Sequence, residues 1–148
     1  MIEKRITDFI HEHHVLTLAV SNNNIPYCAN CFYVFSENDK MLILTSDKET
    51  RHISDTTKNN NVAGSIVLET KQVGKIQGIQ FNGEITELEG DLLKKANRKY
   101  LKKYPYAILA KTNMWGIKLN YIKMTDNRLG FGKKLIWQYT KNLKTSKL

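Results

Sequence analysis

The sequence predicts a mainly β protein, a six-stranded antiparallel β-barrel with a few helices. Runs of strand-forming residues begin near positions 15, 26, 41, 62, 76 and 115, and the first three follow one another at even spacing through short polar turns. The chain has 148 residues, the size of one domain, and contains no internal repeat or low-complexity linker. We therefore expect a single domain that spans residues 1–148.

The N-terminal part is predicted to be a helix followed by three strands. Ile2, Ile6, Phe9 and Ile10 are spaced by three or four residues, which places them on one face of a helix. The strands are expected at 15–20, 25–35 and 41–45, with turns at 21–24 and 36–40. Short turns between consecutive strands predict an antiparallel meander.

The rest of the chain alternates between strands and helices. We expect a polar loop and short helix at 48–58, strands at 62–69 and 74–88, a helix at 91–104, a strand at 115–121 and a last short strand at 135–138. Pro105 ends the helix at 91–104, because a proline ring clashes with a continuing helical backbone.

The positive charge of the chain lies in its C-terminal part. The formal net charge is +9, yet residues 1–90 carry 8 basic and 12 acidic side chains, whereas residues 91–148 carry 15 and 2. One half of the helix at 91–104 is basic, with Lys94, Lys95, Arg98, Lys99, Lys102 and Lys103, and the other half is apolar, with Leu93, Ala96, Tyr100 and Tyr104. This helix could contact nucleic acid or another anionic partner, or be a solvated face above a packed stripe. We favour the solvated face, because no RNA-reading signature accompanies the lysines.

The composition excludes several classes of protein. With 41% hydrophobic and 25% charged residues the chain is globular rather than disordered, and two prolines and two cysteines exclude a collagen-like or disulfide-stapled scaffold. We find neither an apolar run of about 18 residues, which a membrane span needs, nor a signal-peptide pattern. A cytoplasmic protein is therefore expected.

Two groups of potential metal ligands are better explained as structural residues. Cys28 and Cys31 lie three apart on a predicted strand and so point to opposite faces, where they cannot chelate one ion; we expect both to be buried. His11 and His14 could share a helix face, but a zinc site would need a further ligand from elsewhere. We therefore predict no metal site.

The segment from Leu44 to His52 carries the strongest chemical signal. A strand delivers the hydroxyls of Thr45 and Ser46, and a short loop then brings Thr50, Arg51 and His52 to the start of a helix. Hydroxyls, a forked guanidinium and helix N-terminal amides are the groups that bind a phosphate monoester. The alternative is a capped helix start with incidental charge.

Together these segments resemble the FMN-binding split-barrel family, which includes pyridoxamine 5'-phosphate oxidase. The resemblance rests on the first strand, Pro26, the strand end at Thr45-Ser46, the Thr50-Arg51-His52 pattern and Gly83, and it covers residues 12–90 best. The best local match is residues 41–66, in which His52 stands where the family prefers Lys. The segment Thr125–Leu129 is also similar, but Gly130–Lys133 replaces the His and Arg that follow in the oxidase, which argues against vitamin B6 oxidation.

The resemblance implies a homodimer that holds FMN at the subunit interface. Arg51 and His52 would bind the phosphate, helped by Thr45, Ser46 and Thr50. The second strand would run along the flavin ring with Cys28, Ala29 and Asn30, and Gln77 or Gln80 would contact the ring or the ribityl chain. Trp115, Lys118 and Arg128 would approach from the partner subunit or shape the substrate pocket.

The function implied is that of an FMN-dependent oxidoreductase of unknown substrate, in which the flavin carries the redox chemistry. The sequence offers no convincing Ser-His-Asp or paired-carboxylate arrangement, so we assign no catalytic residue. Two alternatives remain open. The same fold could be a non-catalytic haem- or flavin-binding module, with His11, His13 and His14 as haem ligands, or a nucleic-acid-binding barrel that uses the basic helix.

Overall fold

The computed structural model describes residues 1–109 and 112–141, which form eight strands and three α-helices. The elements are α1 (Lys4–Glu12), β1 (Val15–Asn22), β2 (Ile25–Phe32), β3 (Val34–Ser36), β4 (Met41–Ser46), α2 (Arg51–Lys58), β5 (Asn61–Val67), β6 (Gln77–Glu87), α3 (Gly90–Lys103), β7 (Asn113–Asp126) and β8 (Lys134–Gln138). Short 3₁₀ turns occupy Val73–Lys75, Pro105–Leu109 and Asn127–Leu129. The mainly β class is confirmed. The predicted single domain includes residues 110–111 and 142–148, which lie outside the described residues.

The eight described strands form one curled antiparallel sheet. Seven of them follow the order β2-β1-β5-β6-β7-β4-β3, and β8 pairs with β7 outside this order. The 14-residue β7 organises this sheet. One of its edges pairs with β6, while the other pairs first with β4, from Asn113 to Lys118, and then with β8, from Tyr121 to Thr125. The partner of β7 therefore changes at residues 119–120.

The sheet has eight strands rather than the six predicted for the barrel, because the second predicted strand is divided into β2 and β3 and because the short strand predicted at 135–138 is present as β8. A single strand was expected over 25–35, but pairing with β1 ends at Phe32 and pairing with β4 begins at Val34. At the break, the carbonyl oxygen of Tyr33 accepts hydrogen bonds from Tyr104 Oη (2.6 Å) and Lys103 Nζ (3.3 Å). These long-range bonds satisfy the backbone where the ladder stops.

Two apolar clusters hold the fold together. The larger lies inside the curled sheet and includes the face of α1 formed by Ile6, Phe9 and Ile10, which confirms the predicted helix face. The smaller lies between α3 and the outer side of β4 and β7, where Ala96 and Tyr100 contact this sheet. The apolar stripe predicted for α3 is therefore confirmed.

The basic face of α3 is partly used within the fold. Lys95 Nζ lies 2.9 Å from Asp39 Oδ2, and Lys103 Nζ donates to the carbonyl oxygens of His13 (2.8 Å) and Tyr33. Burial lowers the pKa of Lys103.

None of the described helices is long and apolar enough to cross a membrane.

The two cysteines lie on opposite faces of β2, as their spacing predicts, but only one is buried. Cys31 faces the core, and burial raises the pKa of its thiol to about 11. The expectation that Cys28 is also buried was wrong. Its side chain lies on the outer face of a strand at the end of the sheet, and in the described part of the chain no helix covers it.

Candidate functional site

The candidate site forms where β4 ends and α2 begins. Leu44 is buried in the core, whereas Thr45 and Ser46 at the end of β4 are half-buried. A turn over Asp47–Thr50 follows, closed by a hydrogen bond from the Thr50 amide to the Asp47 carbonyl (3.2 Å). The α2 helix then starts at Arg51 and is anchored by the fully buried Ile53. Packing of these apolar residues fixes the polar residues between them.

Three polar side chains meet at this junction: Ser46, Thr50 and His52, which we call the Ser46 cluster. Ser46 Oγ lies 2.8 Å from His52 Nε2 and 3.2 Å from Thr50 Oγ1. The Thr50 hydroxyl donates to the Asp47 carbonyl (2.8 Å) and makes no capping bond to α2. The side chain of this N-cap residue therefore leaves the first backbone amides of the helix free of a capping bond. Partial burial lowers the pKa of His52, because burial disfavours the charged imidazolium.

The fold also brings Thr45 and Trp115 to this junction. Trp115 is buried, and its indole Nε1 donates to the Ser46 carbonyl oxygen (2.9 Å) within the same chain. Thr45 Oγ1 lies 3.4 Å from the Tyr100 hydroxyl, on the side of β4 that α3 covers. Both residues therefore fix the end of β4 rather than project freely into solvent.

Arg51 links the Ser46 cluster to β2. Its guanidinium carbon lies 4.2 Å from the centroid of the Tyr27 ring, and its Nε lies 3.7 Å from Asp55 Oδ2. Asp55 also accepts a hydrogen bond from Asn22 (3.4 Å). With its side chain 55% exposed, Arg51 keeps donor groups open to solvent while its guanidinium stacks on the Tyr27 ring. The neighbour of Tyr27 along β2 is Cys28, so Arg51 stands beside the predicted flavin strand.

A second charged group borders the cluster and was not predicted from the sequence. Lys48 Nζ lies 3.2 Å from Glu87 Oε2, and Asn113 Nδ2 donates to Glu87 Oε1 (2.9 Å). Lys48, Thr50 and Asn113 are among the residues that line an open cavity of about 450 Å³. Asn113 is the register partner of Ser46 across β4 and β7, a relation that only strand pairing reveals.

The predicted flavin contacts on β2 and β6 divide between the two faces of the sheet. Cys28 and Asn30 lie on the exposed outer face, where Asn30 Oδ1 accepts from Thr17 (3.0 Å), while Ala29 is half-buried on the inner side. Gln80 lies on the same outer face, exposed, but β1 and β5 separate it from β2. Because three strand spacings separate β6 from β2, Gln80 lies about 14 Å from the predicted flavin strand of its own chain.

Gln77 and Arg128 lie far from the Ser46 cluster of their own chain. Gln77 begins β6 and Glu87 ends it, so the two ends of this strand are about 33 Å apart. Arg128 is held by Asp126, whose buried carboxylate accepts from its Nε (3.0 Å) and Nη2 (2.8 Å) and from Arg5 Nη1 (3.2 Å). These bonds lower the pKa of Asp126 from its usual value. Within one chain the predicted site residues therefore form two separate groups.

The three N-terminal histidines are each engaged differently. His11 Nε2 lies 3.0 Å from Glu37 Oε2, His13 Nδ1 lies 2.9 Å from the Phe9 carbonyl oxygen, and the His14 ring stacks on Phe32 with centroids 6.4 Å apart. Over residues 1–109 and 112–141, no group of three or more His, Cys, Asp or Glu side chains could hold a metal ion.

Comparison with known proteins yields close sequence relatives. No family model matches the chain. A UPF0306 protein of Photorhabdus laumondii is 42% identical over 130 residues, which cover 88% of this chain and 91% of that protein. A UPF0306 protein of Yersinia pestis is 42% identical over 132 residues, which cover 89% and 90%.

The chain belongs to the UPF0306 family.

Solved structures show what fold this UPF0306 chain has. The haem-binding protein of Mycobacterium smegmatis matches 93% of this chain and 59% of its own length, with a TM-score of 0.76 and 14% identity. HutZ, the haem storage protein of Vibrio cholerae, matches 80% and 90% (TM-score 0.68, 16% identity). An FAD-binding protein of Mesorhizobium loti matches 84% and 94% (TM-score 0.66, 16% identity). At these identities the likeness establishes the split-barrel fold and nothing finer.

Proposed function

We propose that this UPF0306 protein is a homodimer that binds FMN at its subunit interface and acts as a flavin-dependent oxidoreductase. The observation that carries the proposal is the Ser46 cluster, where two hydroxyls and an imidazole surround a helix N-terminus. These donors suit a phosphate monoester, since helix amides and hydroxyls complement its oxygens. The adjacent Arg51, with solvent-facing donors, adds the charge that such a group requires.

The donor set can accommodate the phosphate without rebuilding the site. Ser46 and Thr50 can both donate once rotated from their present partners, and a protonated His52 can donate through its ring nitrogens. Arg51 needs only a change of side-chain rotamer, because its contact with Asp55 is long. The pyrimidine edge of the flavin would contact backbone groups along Cys28–Asn30, and the bound flavin would supply hydride and electron transfer.

The homodimer explains the separation of the predicted residues. Gln77, Gln80 and Arg128 cannot reach the Ser46 cluster of their own chain, but a second copy related by a two-fold axis can present them to it. The outer face carrying Cys28 and Asn30 suits such an interface, because several apolar side chains beside it are exposed. Phe32 is 57% and Val67 67% exposed. Burial of this face against an identical face would remove them from water.

A haem-binding module is the second candidate. It is favoured by the likeness to the Mycobacterium smegmatis and Vibrio cholerae proteins, which are named for haem. His14 is the best placed of the three histidines for this role, since it is exposed and its ring stacks on the exposed Phe32. Binding would then rest on the N-terminal histidines rather than on the Ser46 cluster.

The visible absorption spectrum of the purified protein, before and after titration with FMN or haemin, distinguishes the two candidates. We expect saturable FMN binding at one flavin per subunit, and a dimer in light scattering coupled to size exclusion. A Soret band that depends on His14, with no FMN uptake, would replace the first proposal with the second. Failure to bind either compound would refute both.

A further inference from the structure

A second groove opens where β7 changes its strand partner. The Leu119 amide donates to the Lys40 carbonyl oxygen (3.0 Å) at the start of β4, and the Asn120 carbonyl accepts from the Tyr139 amide (2.9 Å) just after β8. Between these bonds the register of β6 and β7 shifts by one residue, so that Asn120 is an extra residue on β7. The bulge and the gap between β4 and β8 thus coincide.

Two adjoining cavities of about 560 and 540 Å³ fill this gap, and they share Lys118, Leu119 and Tyr139. Each volume lies within the range of small-molecule sites. We call this space the Lys118 groove. It is remote from the Ser46 cluster, because Met41 beside the groove and Ser46 stand at opposite ends of β4, about 16 Å apart.

The floor and one wall of the groove are apolar. Met41 and Leu88 are buried members of the cluster beneath α3, and they lie over the backbone at Gly116. Leu92, in the first turn of α3, forms part of the wall and is 41% exposed. Because α3 begins at Gly90, it does not cover the outer face of β6 and β7 next to Leu92, where Glu84 and Lys118 are exposed. A ligand seated in the groove would pack on Met41 and Leu88 and would bury the exposed part of Leu92.

The rim of the groove is basic. Lys40, Lys118 and Lys141 line it, and none of the three forms a salt bridge with the residues that the structure describes. The carboxylates at the rim are Glu84 and Asp39, and Asp39 is already bound to Lys95. The amines therefore outnumber the remaining carboxylate, which leaves the rim positive.

We propose that the Lys118 groove binds a small amphipathic anion, an apolar body that carries one carboxylate, sulfonate or phosphate group. The apolar body packs on Met41, Leu88 and Leu92, and the acidic group is held by Lys40 and Lys118. This class of ligand follows from two features that lie side by side, a buried apolar floor and amines without a salt bridge. The floor favours an apolar body and the amines favour an acidic group, so a ligand that satisfies both is an amphipathic anion. Tyr139, 49% exposed, offers a ring face to cover the bound molecule.

The test uses 8-anilinonaphthalene-1-sulfonate, a fluorescent amphipathic anion, with the 148-residue chain. We expect a saturable rise in emission that fits one site per chain. The double variant Lys40→Gln/Lys118→Gln should raise the dissociation constant about tenfold, which corresponds to about 1.4 kcal/mol. Its matched control is Lys123→Gln/Lys134→Gln, which removes the same charge from β7 and β8 outside the groove and should change the constant less than twofold.

The outcomes separate this groove from other sites. Saturating FMN should leave the probe bound, and thermal unfolding should show that both double variants fold as the natural protein does. The proposal is overturned if no saturable binding occurs, if the control variant weakens binding as much as the groove variant, or if FMN displaces the probe in equal amounts. If the groove variant fails to fold, Leu92→Gln on the exposed wall provides the same comparison, with an expected loss of about threefold.

Discussion

Replacing Arg51 with alanine should weaken FMN binding by a factor that the structure allows to be estimated. The guanidinium would make charge-assisted hydrogen bonds to the phosphate, each worth about 1.5–3 kcal/mol in protected settings. Because the side chain is 55% exposed, solvent screening holds the total near the lower end, about 2 kcal/mol. This corresponds to an increase of about 30-fold in the dissociation constant.

The assay is quenching of flavin fluorescence during titration, carried out with FMN and separately with riboflavin. Riboflavin lacks the phosphate, so Arg51→Ala should leave its affinity nearly unchanged and bring the FMN affinity close to it. Arg51→Lys should recover part of the loss, because a lysine keeps the charge but neither the fork nor the stacking on Tyr27.

Lys58→Ala supplies the control, since Lys58 is an exposed basic residue at the opposite end of α2, about 10 Å along the helix. We expect it to change FMN affinity less than twofold. The reasoning is refuted if Arg51→Ala weakens riboflavin as much as FMN, or if Lys58→Ala matches Arg51→Ala. Either result would mean that the phosphate is not bound at the start of α2.

Three further predictions concern protonation and packing. Phosphate binding should raise the pKa of His52, which burial lowers in the free protein. The contribution of His52 to FMN affinity should therefore be present at low pH and be lost as the pH rises through the His52 pKa of the complex. FMN titrations from about pH 5 to pH 8 should show a different pH dependence of affinity for the natural protein and for His52→Gln, and an equal pH dependence would contradict this prediction. Gly83→Ala should lower the free energy of unfolding, measured in urea, by about 2 kcal/mol, because the added Cβ would lie 2.5 Å from the Lys118 carbonyl oxygen. Gly74→Ala is the control, since a Cβ at Gly74 meets open space and should change the free energy of unfolding little. Equal effects of the two substitutions would disprove the clash. Asp126→Asn should cost about 1–2 kcal/mol at neutral pH, because it takes the buried carboxylate away from two arginines whose side chains are themselves 39% and 49% exposed to solvent. Because the folded pKa of Asp126 is lowered, this cost should shrink as the pH falls from about 4 through that folded pKa, and a pH-independent difference would contradict the assignment.

The local patterns of the sequence predicted most elements, because helix and strand periodicity is set by neighbouring residues. The face of α1 and the apolar stripe of α3 were both visible in the spacing of their hydrophobic residues. The division of the second strand at Tyr33 was not visible, since the bonds that stabilise it come from Lys103 and Tyr104, about seventy residues later. The burial of Cys28 was wrongly predicted because strand alternation does not say which face is covered.

The candidate site divides along the same line. The hydroxyls, Arg51 and His52 lie within eight residues of one another, so a strand end followed by a helix start was enough to bring them together in a prediction. The indole bond of Trp115 to Ser46 and the stacking of Arg51 on Tyr27 depend on strand pairing and helix packing. Gln77 and Arg128 were predicted to join the same site, but the length of β6 keeps both of them away from the Ser46 cluster of their own chain.

By itself, then, the sequence predicted most of the elements, the apolar faces of α1 and α3, and the grouping of Ser46, Thr50 and His52 at the start of α2, since each depends on residues that are close along the chain. Only the tertiary structure decided which faces are open, which predicted residues share a site, and that β7 changes partners to leave the basic Lys118 groove. The physical reason is that strand register and packing are set by contacts between distant segments, whose combined free energy no local pattern records.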